Sequence, residues 1–410
     1  MGRAGDHRAR RRTAPGIAHD GIRYRPMPEL VALDLPGGRG FVDALGAVWD
    51  TGDAAAPLDP RLPPAAAREL IDALSPSRVV GSDGDIVHLD GGIPVEDGDA
   101  LVMATSGSTG APRGVVLTHA AIAASARATT ARLGVDPQRH HWLACLPLAH
   151  VGGLSVVTRS LLTGTPLTVL AGFDADAVTA IARRGTATHV SLVTQALRRI
   201  DADLFTTIVL GGAAPPGELP RNVVTTYGLT ETGSGVVYDE RPLDGVEVAI
   251  GTGRDGEGQC GEVLLRCPML LRCYRTGIDP RIPGPDGTGG WFPTGDGGSL
   301  RADGCLEVEG RLDDVVVTGG EHVWPVALER VLAAHRGVAE VAIWKRPDPE
   351  WGERVVAWVV PTDPARPPAI EELGDLARAA IGPWAAPKEM VLVGSLPRTS
   401  LGKVQRRLLS

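Results

Sequence analysis

Ala104-Thr105-Ser106-Gly107-Ser108-Thr109-Gly110-Ala111-Pro112-Arg113-Gly114 follows the apolar run Leu101-Val102-Met103 and has the composition of a phosphate-handling loop. Its three glycines let successive backbone N–H groups converge on one anion. Thr105, Ser106, Ser108 and Thr109 add hydroxyl donors, and Arg113 adds a fixed positive charge. A Walker loop would end in Gly-Lys-Ser/Thr and open a helix directly, whereas Arg113 is followed by Gly114. The stretch therefore reads as a mobile flap over a triphosphate rather than a rigid cradle, with a flexible surface linker as the rival reading of the loop alone.

A chain of 410 residues holds two or more domains. Lys and Arg number 41 against 49 Asp and Glu, a formal charge of −8, so no global basic field recruits nucleic acid. No apolar run is long enough for membrane insertion. Cys145, Cys260, Cys267, Cys273 and Cys305 are odd in number and share no Cys-x-x-Cys spacing, which points to a reduced, cytoplasmic setting without a zinc site. Met1 to Arg12 is Arg-rich but no apolar segment follows, so residues 1–40 read as a tail, partly disordered, and not as a secretory signal.

Ahead of the flap, Phe41 to Trp49 and Ala65 to Leu74 have helical spacing, and Val79-Val80 reads as a short strand. Thr118 is a candidate N-cap for a helix from Ala120 to Leu133, giving a strand, loop, helix order around the flap. Trp142 to His150 reads as an apolar strand ending in Pro and His. Val151 to Leu162 is an apolar helix with one charge, Arg159. That arginine either reaches solvent or a helix terminus, or pairs with a carboxylate. Strands at Leu167 to Leu170, His189 to Leu192 and Thr207 to Leu210, with a helix from Asp176 to Arg184, extend the α/β layering. The last strand runs into Gly211-Gly212-Ala213, bare backbone against which a flat ligand can lie. Tyr227-Gly228-Leu229-Thr230-Glu231-Thr232 combines an aromatic face for a base with a lone carboxylate suited to Mg²⁺.

From Val246 the pattern becomes short alternating strands, a small antiparallel subdomain. Within it Asp296 follows Thr294-Gly295, and its two oxygens match the vicinal hydroxyls of a ribose; an Asx-turn is the alternative. Gly310-Arg311-Leu312-Asp313-Asp314 marks a boundary. Beyond it a β-α-β-β-α-β order defines a compact α+β domain whose last segment presents Lys403 singly after a Ser and Gly turn. The fold class is thus α/β: a large layered α/β domain over 41–311 with a small β subdomain, and a small mobile α+β domain over 312–410.

Taken together these motifs resemble the acyl-adenylating superfamily of acyl-CoA synthetases, luciferases and peptide-synthetase adenylation domains, in the family's order from about Phe41 onward. The resemblance implies that Thr105, Ser106, Gly107, Ser108, Thr109 and Gly110, with Arg113, hold the β and γ phosphates of ATP. Gly211, Gly212 and Ala213 would line adenine, with Tyr227 stacking on it beside Gly228. Thr230 would touch the α phosphate, Glu231 would hold Mg²⁺, and Asp296 and Arg311 would hold the ribose. Asp313 falls at the family's interdomain hinge, Gly319 and Gly320 at its pantetheine tunnel, and Lys403 at the lysine bridging carboxylate and α phosphate.

Within that superfamily His150-Val151-Gly152-Gly153-Leu154, the segment Arg159 to Gly164, and Tyr227 to Val246 are similar to the short actinobacterial o-succinylbenzoate-CoA ligases of menaquinone biosynthesis. There the arginine aligned with Arg159 is expected to meet the carboxylate that does not react, with His150 and Gly152 at the acid. Departures are Arg113 where Lys is usual, Gly152 where some relatives have Ser, and a short segment before the flap. The implied activity is a Mg²⁺- and ATP-dependent ligase joining a carboxylic acid to coenzyme A. Another aryl or acyl acid, a carrier-protein thiol, or a non-catalytic nucleotide-binding protein are the alternatives, and a homo-oligomer stays open.

Overall fold

Leu30-Val31-Ala32-Leu33 becomes the middle of a sheet, which corrects the expectation of a tail as far as residue 40. The computed structural model describes residues 27–106, 112–212, 218–251, 260–398 and 404–409. Strand Leu30–Asp34 pairs in parallel with Ala54–Pro57 on one side and Arg78–Gly81 on the other, and Leu30 to Leu33 are fully buried. A strand covered on both faces has no polar-apolar alternation, so a period-2 search passes over it. Helices Arg39–Asp50 and Pro64–Leu74 bury Phe41, Leu45, Val48, Leu70 and Leu74 against this sheet. The short segment before the flap is thus a working part of the core.

The strands that flank the flap pair with each other in antiparallel. Strand Asp99–Ser106 pairs with Pro112–Thr118, Thr105 opposite Arg113 and Ser106 opposite Pro112. This corrects the strand, loop, helix order: a whole strand intervenes before helix His119–Leu133, whose N-cap is Thr118, accepting from the Ala121 N–H at 3.1 Å.

A second sheet, seven-stranded among the described residues like the first, runs Arg241–Pro242, Ser234–Tyr238, Val223–Leu229, Thr207–Gly211, His189–Val193, Trp142–Ala144, Leu167–Val169. Helix His119–Leu133 touches both sheets and packs on helix Val151–Thr163. One apolar cluster joins Leu33, Met103 and Val115 of the first sheet to Trp142, Val209 and Tyr238 of the second through Leu154 and Val157. The expected strand from Trp142 to His150 stops at Ala144. Pro147 lacks the N–H a central strand needs, and Gly153 lets the following helix start against that bend: a Cβ there would sit 2.5 Å from both the Leu146 and Pro147 carbonyl oxygens.

Strands Glu247–Ile250, Gly261–Arg266, Phe292–Leu300 and Leu306–Arg311 form the small antiparallel sheet. After Arg311 a short 3₁₀ turn, Leu312–Asp314, leads to Val316–Thr318. Gly319 and Gly320, at φ 62° and 85°, then make the tight turn into strand Glu321–Val323. That extra strand changes the expected order to β-β-α-β-β-α-β. Helices Pro325–Ala333 and Ile370–Ala380 pack on a sheet completed by Val338–Asp348, Gly352–Pro361 and Glu389–Leu392. Among the described residues the buried apolar clusters divide here: four draw their buried residues from positions up to Leu306, two from Val316 onward.

Candidate active site

The hairpin made by Val223–Leu229 and Ser234–Tyr238, with the 3₁₀ turn Thr230–Thr232 at its tip, supplies one side chain to each of three polar clusters. Its geometry follows from two small features. A Cβ on Gly228 would lie 2.3 Å from the Ser234 carbonyl oxygen, so only glycine lets the strands close here. Buried Thr232 ties the turn, accepting from the Leu229 N–H at 2.9 Å and donating to the Ser234 carbonyl at 2.8 Å. Thr230 and Glu231 are left half-buried at the tip.

In the first cluster the Tyr227 hydroxyl donates to Asp296 Oδ2 at 2.7 Å, and Arg311 Nη1 lies 3.2 Å from Asp296 Oδ1. Asp296 and Arg311 face each other across paired strands, so the backbone register sets the ion pair. Burial first, then the Asp296 charge, pushes the Tyr227 phenol well up, which keeps it a donor. A carboxylate fixed from two sides in this way presents its remaining lone pairs in a set direction.

In the second, the Tyr274 hydroxyl donates to Glu231 Oε1 at 3.0 Å, while the Arg113 guanidinium lies over the Tyr274 ring at 4.9 Å. Burial and the neighbouring Glu231 push the Tyr274 phenol up as well. Strand Cys273–Tyr274 is held against the flap strand at Val116 and Val115, and Arg272 grips buried Asp99 with two 2.8 Å bonds. Arg113 Nε is buried without a partner among the described residues, and Glu231 forms no salt bridge there. A carboxylate held only by the Tyr274 hydroxyl among the described residues suits Mg²⁺, which keeps waters and takes phosphate oxygens beside one or two carboxylates. No cluster of three metal-ligating side chains exists among the described residues.

The third cluster surrounds Arg159, which is 2% exposed. Its guanidinium lies over the Trp142 ring at 4.8 Å and donates through Nη2 to Ser234 Oγ at 3.3 Å, while Nε and Nη1 have no partner among the described residues. A buried charge without a counter-charge is costly, and burial lowers the Arg159 pKa. The arrangement suits an anion delivered from outside. Behind Trp142, buried His189 accepts or donates at Nδ1 to Thr188 Oγ1, 2.9 Å away.

Burial, with His140 and Arg159 adding repulsion, pushes the His189 imidazole down to about 4, against 6.5 for an ordinary histidine. Between those values the unfolded chain binds a proton that the folded chain refuses, so stability is complete above about pH 6.5 and falls as the pH drops. The span corresponds to about 3 kcal/mol at roughly 1.4 kcal/mol per unit. Melting curves from pH 4.5 to 7.5 should lose much of their acid slope in His189→Gln; an unchanged slope would place the acid sensitivity elsewhere.

Of the other expected residues, Gly211 ends its strand and Gly212 has φ 96°. His150 stands at the N-cap position of helix Val151–Thr163. Gly152 is exposed, and a Cβ there would meet only Leu146 at 3.7 Å. Thr105 sits opposite Arg113. Gly107, Ser108, Thr109, Gly110, Ala213 and Lys403, and the side chain of Ser106, lie outside the described residues. The segments flanking Lys403 are anchored within the small domain: Arg398 bonds Glu340 at 2.7 Å, and Arg406 bonds Glu329 at 2.7 Å and Asp314 at 3.4 Å. Tyr274, Trp142 and Ser234 escape sequence reasoning because each acquires its role through a partner far along the chain.

A model of the AMP-binding enzyme family matches residues 90–275, and one of the AMP-binding enzyme C-terminal domain matches residues 327–403. The chain belongs to the AMP-binding enzyme family, the acyl-adenylating enzymes that use ATP and release AMP. Within it, the chain is 37% identical over 340 residues to a Mycobacterium tuberculosis protein named "Probable 2-succinylbenzoate–CoA ligase", covering 78% of this chain and 85% of that one. It is also similar, at 25% identity and a TM-score of 0.79, to o-succinylbenzoate CoA synthetase from Bacillus subtilis in complex with its acyl-adenylate intermediate, over 93% of this chain and 88% of that. The same enzyme in complex with ATP and magnesium ion matches with a TM-score of 0.77 at 25% identity, over 93% and 89% of the two chains. No helix among the described residues is long and apolar enough to cross a membrane.

Proposed function

We propose that this chain joins o-succinylbenzoate to coenzyme A at the expense of ATP. The observation that carries this reading is Arg159: a buried guanidinium with two unpartnered N–H edges, on the same hairpin-centred site as Glu231 and Tyr227. It gives the pocket a preference for an acid with a second carboxylate, and the names of the relatives agree. In the first half-reaction a carboxylate oxygen attacks the α phosphorus and pyrophosphate leaves. In the second the CoA sulfur attacks the acyl carbon, AMP leaves, and the thiol proton goes to solvent.

This chain's residues divide the work. Asp296, aligned by Tyr227 and Arg311, accepts the ribose hydroxyls, and Arg113 meets phosphate through the flap hairpin. Glu231 would hold Mg²⁺, which when bound offsets phosphate charge. Thr230 at the turn donates to the α phosphate, and Gly211 and Gly212 leave room for the adenine ring. His150 and Gly152 border the reacting end of the acid. Rotation at Asp313, in the short turn between the two sets of cores, exchanges Lys403 for Gly319-Gly320 at the adenylate. Because both belong to one small domain, the halves of the reaction alternate. ATP and CoA come from the cytoplasmic pool.

Free CoA rather than a carrier protein is favoured by the surface beside that turn. Trp351 lies on Gly319, 41% exposed, with Lys388 Nζ 3.9 Å from its ring centroid. An open indole with a cation at its face suits the adenine and phosphates of CoA. Trp351→Ala should raise the KM for CoA about 10-fold, the loss of one stacking contact, and leave pyrophosphate release unchanged. The function itself is tested by pyrophosphate release over a panel of aromatic acids with and without CoA. Release with o-succinylbenzoate and thioester on adding CoA is expected; release only with monocarboxylic acids, or none, would overturn the reading.

A further inference from the structure

Trp142 has no part in the chemistry above, yet it is the largest side chain in contact with the guanidinium on which acid selection rests. It is fully buried on the strand Trp142–Ala144, its Nε1 makes no hydrogen bond among the described residues, and its neighbour in register is His189. The Arg159 guanidinium carbon sits 4.8 Å from the Trp142 ring centroid, and the His189 ring packs at 5.1 Å from the same indole, with His140 4.7 Å beyond. The strands fix this stack from below, while Arg159 comes from the helix above.

An arginine has many rotamers, and a buried one with a single 3.3 Å hydrogen bond to Ser234 Oγ is not held in orientation by that bond alone. A carboxylate partner within the protein would hold it, but would also consume the N–H edges a substrate needs. An aromatic face does neither. It attracts the flat of the cation and leaves the whole rim of N–H donors free. The unpartnered Nε and Nη1 are what such a hold leaves over.

We infer that Trp142 is a positioning residue for acid selection: its ring holds the Arg159 guanidinium by its face so that Nε and Nη1 stay open to the second carboxylate of the acid. This rests on the assignment of Arg159 as the ligand of that carboxylate. It predicts that acid specificity depends on the aromatic character of position 142 as well as on Arg159 itself.

The experiment compares Trp142→Leu and Trp142→Phe with the parent enzyme, using o-succinylbenzoate and its monoester at the non-reacting carboxylate. Trp142→Leu should raise the KM for the dicarboxylate about 10-fold, between the values of an exposed and a fully desolvated cation–π contact. The KM for ATP and for the monoester should stay put, and Trp142→Phe should restore most of the loss. Thermal melting shows that each variant is folded. Equal changes with both acids, or a Phe variant no better than Leu, would make Trp142 a packing residue only. Arg159→Leu run alongside separates the two assignments. If it discriminates between the acids and Trp142→Leu does not, the inference about Trp142 fails alone; if it too does not discriminate, the assignment of Arg159 fails first.

Discussion

Alanine at position 403 should slow acyl-adenylate formation about 100-fold or more while leaving thioester formation from a supplied acyl-adenylate near the parent rate. The first half-reaction brings a carboxylate onto a phosphate, two anions, and a cation placed between them stabilises charge where it develops. Removing one such contact costs about 3 kcal/mol or more. The second half-reaction expels AMP from a neutral acyl carbon and makes no use of that cation. On either side of position 403, Arg398 bonds Glu340, and Arg406 bonds Glu329 and Asp314. Pyrophosphate release and single-turnover thioester formation measure the halves separately. Equal loss in both would remove Lys403 from its bridging role.

Arg159→Leu should raise the KM for o-succinylbenzoate by roughly two orders of magnitude, the cost of about 3 kcal/mol when one partner of a buried charge pair is lost. The monoester of the non-reacting carboxylate should be used almost as well by the variant as by the parent. Stability should move the other way. Among the described residues Arg159 is buried without a counter-charge, so leucine, although shorter, removes a desolvation penalty and should hold or raise the melting temperature. Weaker substrate recognition with undiminished stability is what a ligand-binding charge predicts; a steep fall in melting temperature would mark Arg159 as a structural residue.

How far the site could be read in advance depended on where each residue's partner lies. Gly211-Gly212, Thr230-Glu231 and Asp296 stand in short local motifs whose chemistry is contained in a few neighbouring residues. Tyr274 looks ordinary in Cys273-Tyr274-Arg275. It becomes part of the site because its strand is registered against Val115 and Val116, more than 150 positions earlier, under Arg113 and beside Glu231. Trp142 and Arg159 are in the same position: a charge on an apolar helix leaves two readings open until the strand beneath it is known.

The elements divide similarly. Helical spacing located Phe41, Leu45 and Val48 on one buried face, and Thr118 could be named as an N-cap from its neighbours alone. Leu30–Asp34 carries no alternation because it is buried on both faces, and Pro112–Thr118 follows a loop rich in glycine whose composition does not distinguish a strand from a helix behind it.

What the sequence by itself determined was the family and the order of its motifs, since these depend on short-range patterns that need no fold to be read. Only the tertiary structure decided that the strands flanking the flap pair with each other, that Tyr227, Glu231 and Ser234 of one hairpin reach three separate clusters, and that Arg159 is buried on an indole with two donors unpartnered among the described residues. The reason is physical: register between distant strands and the desolvation of a charge are properties of packing, and no local stretch of chain contains them.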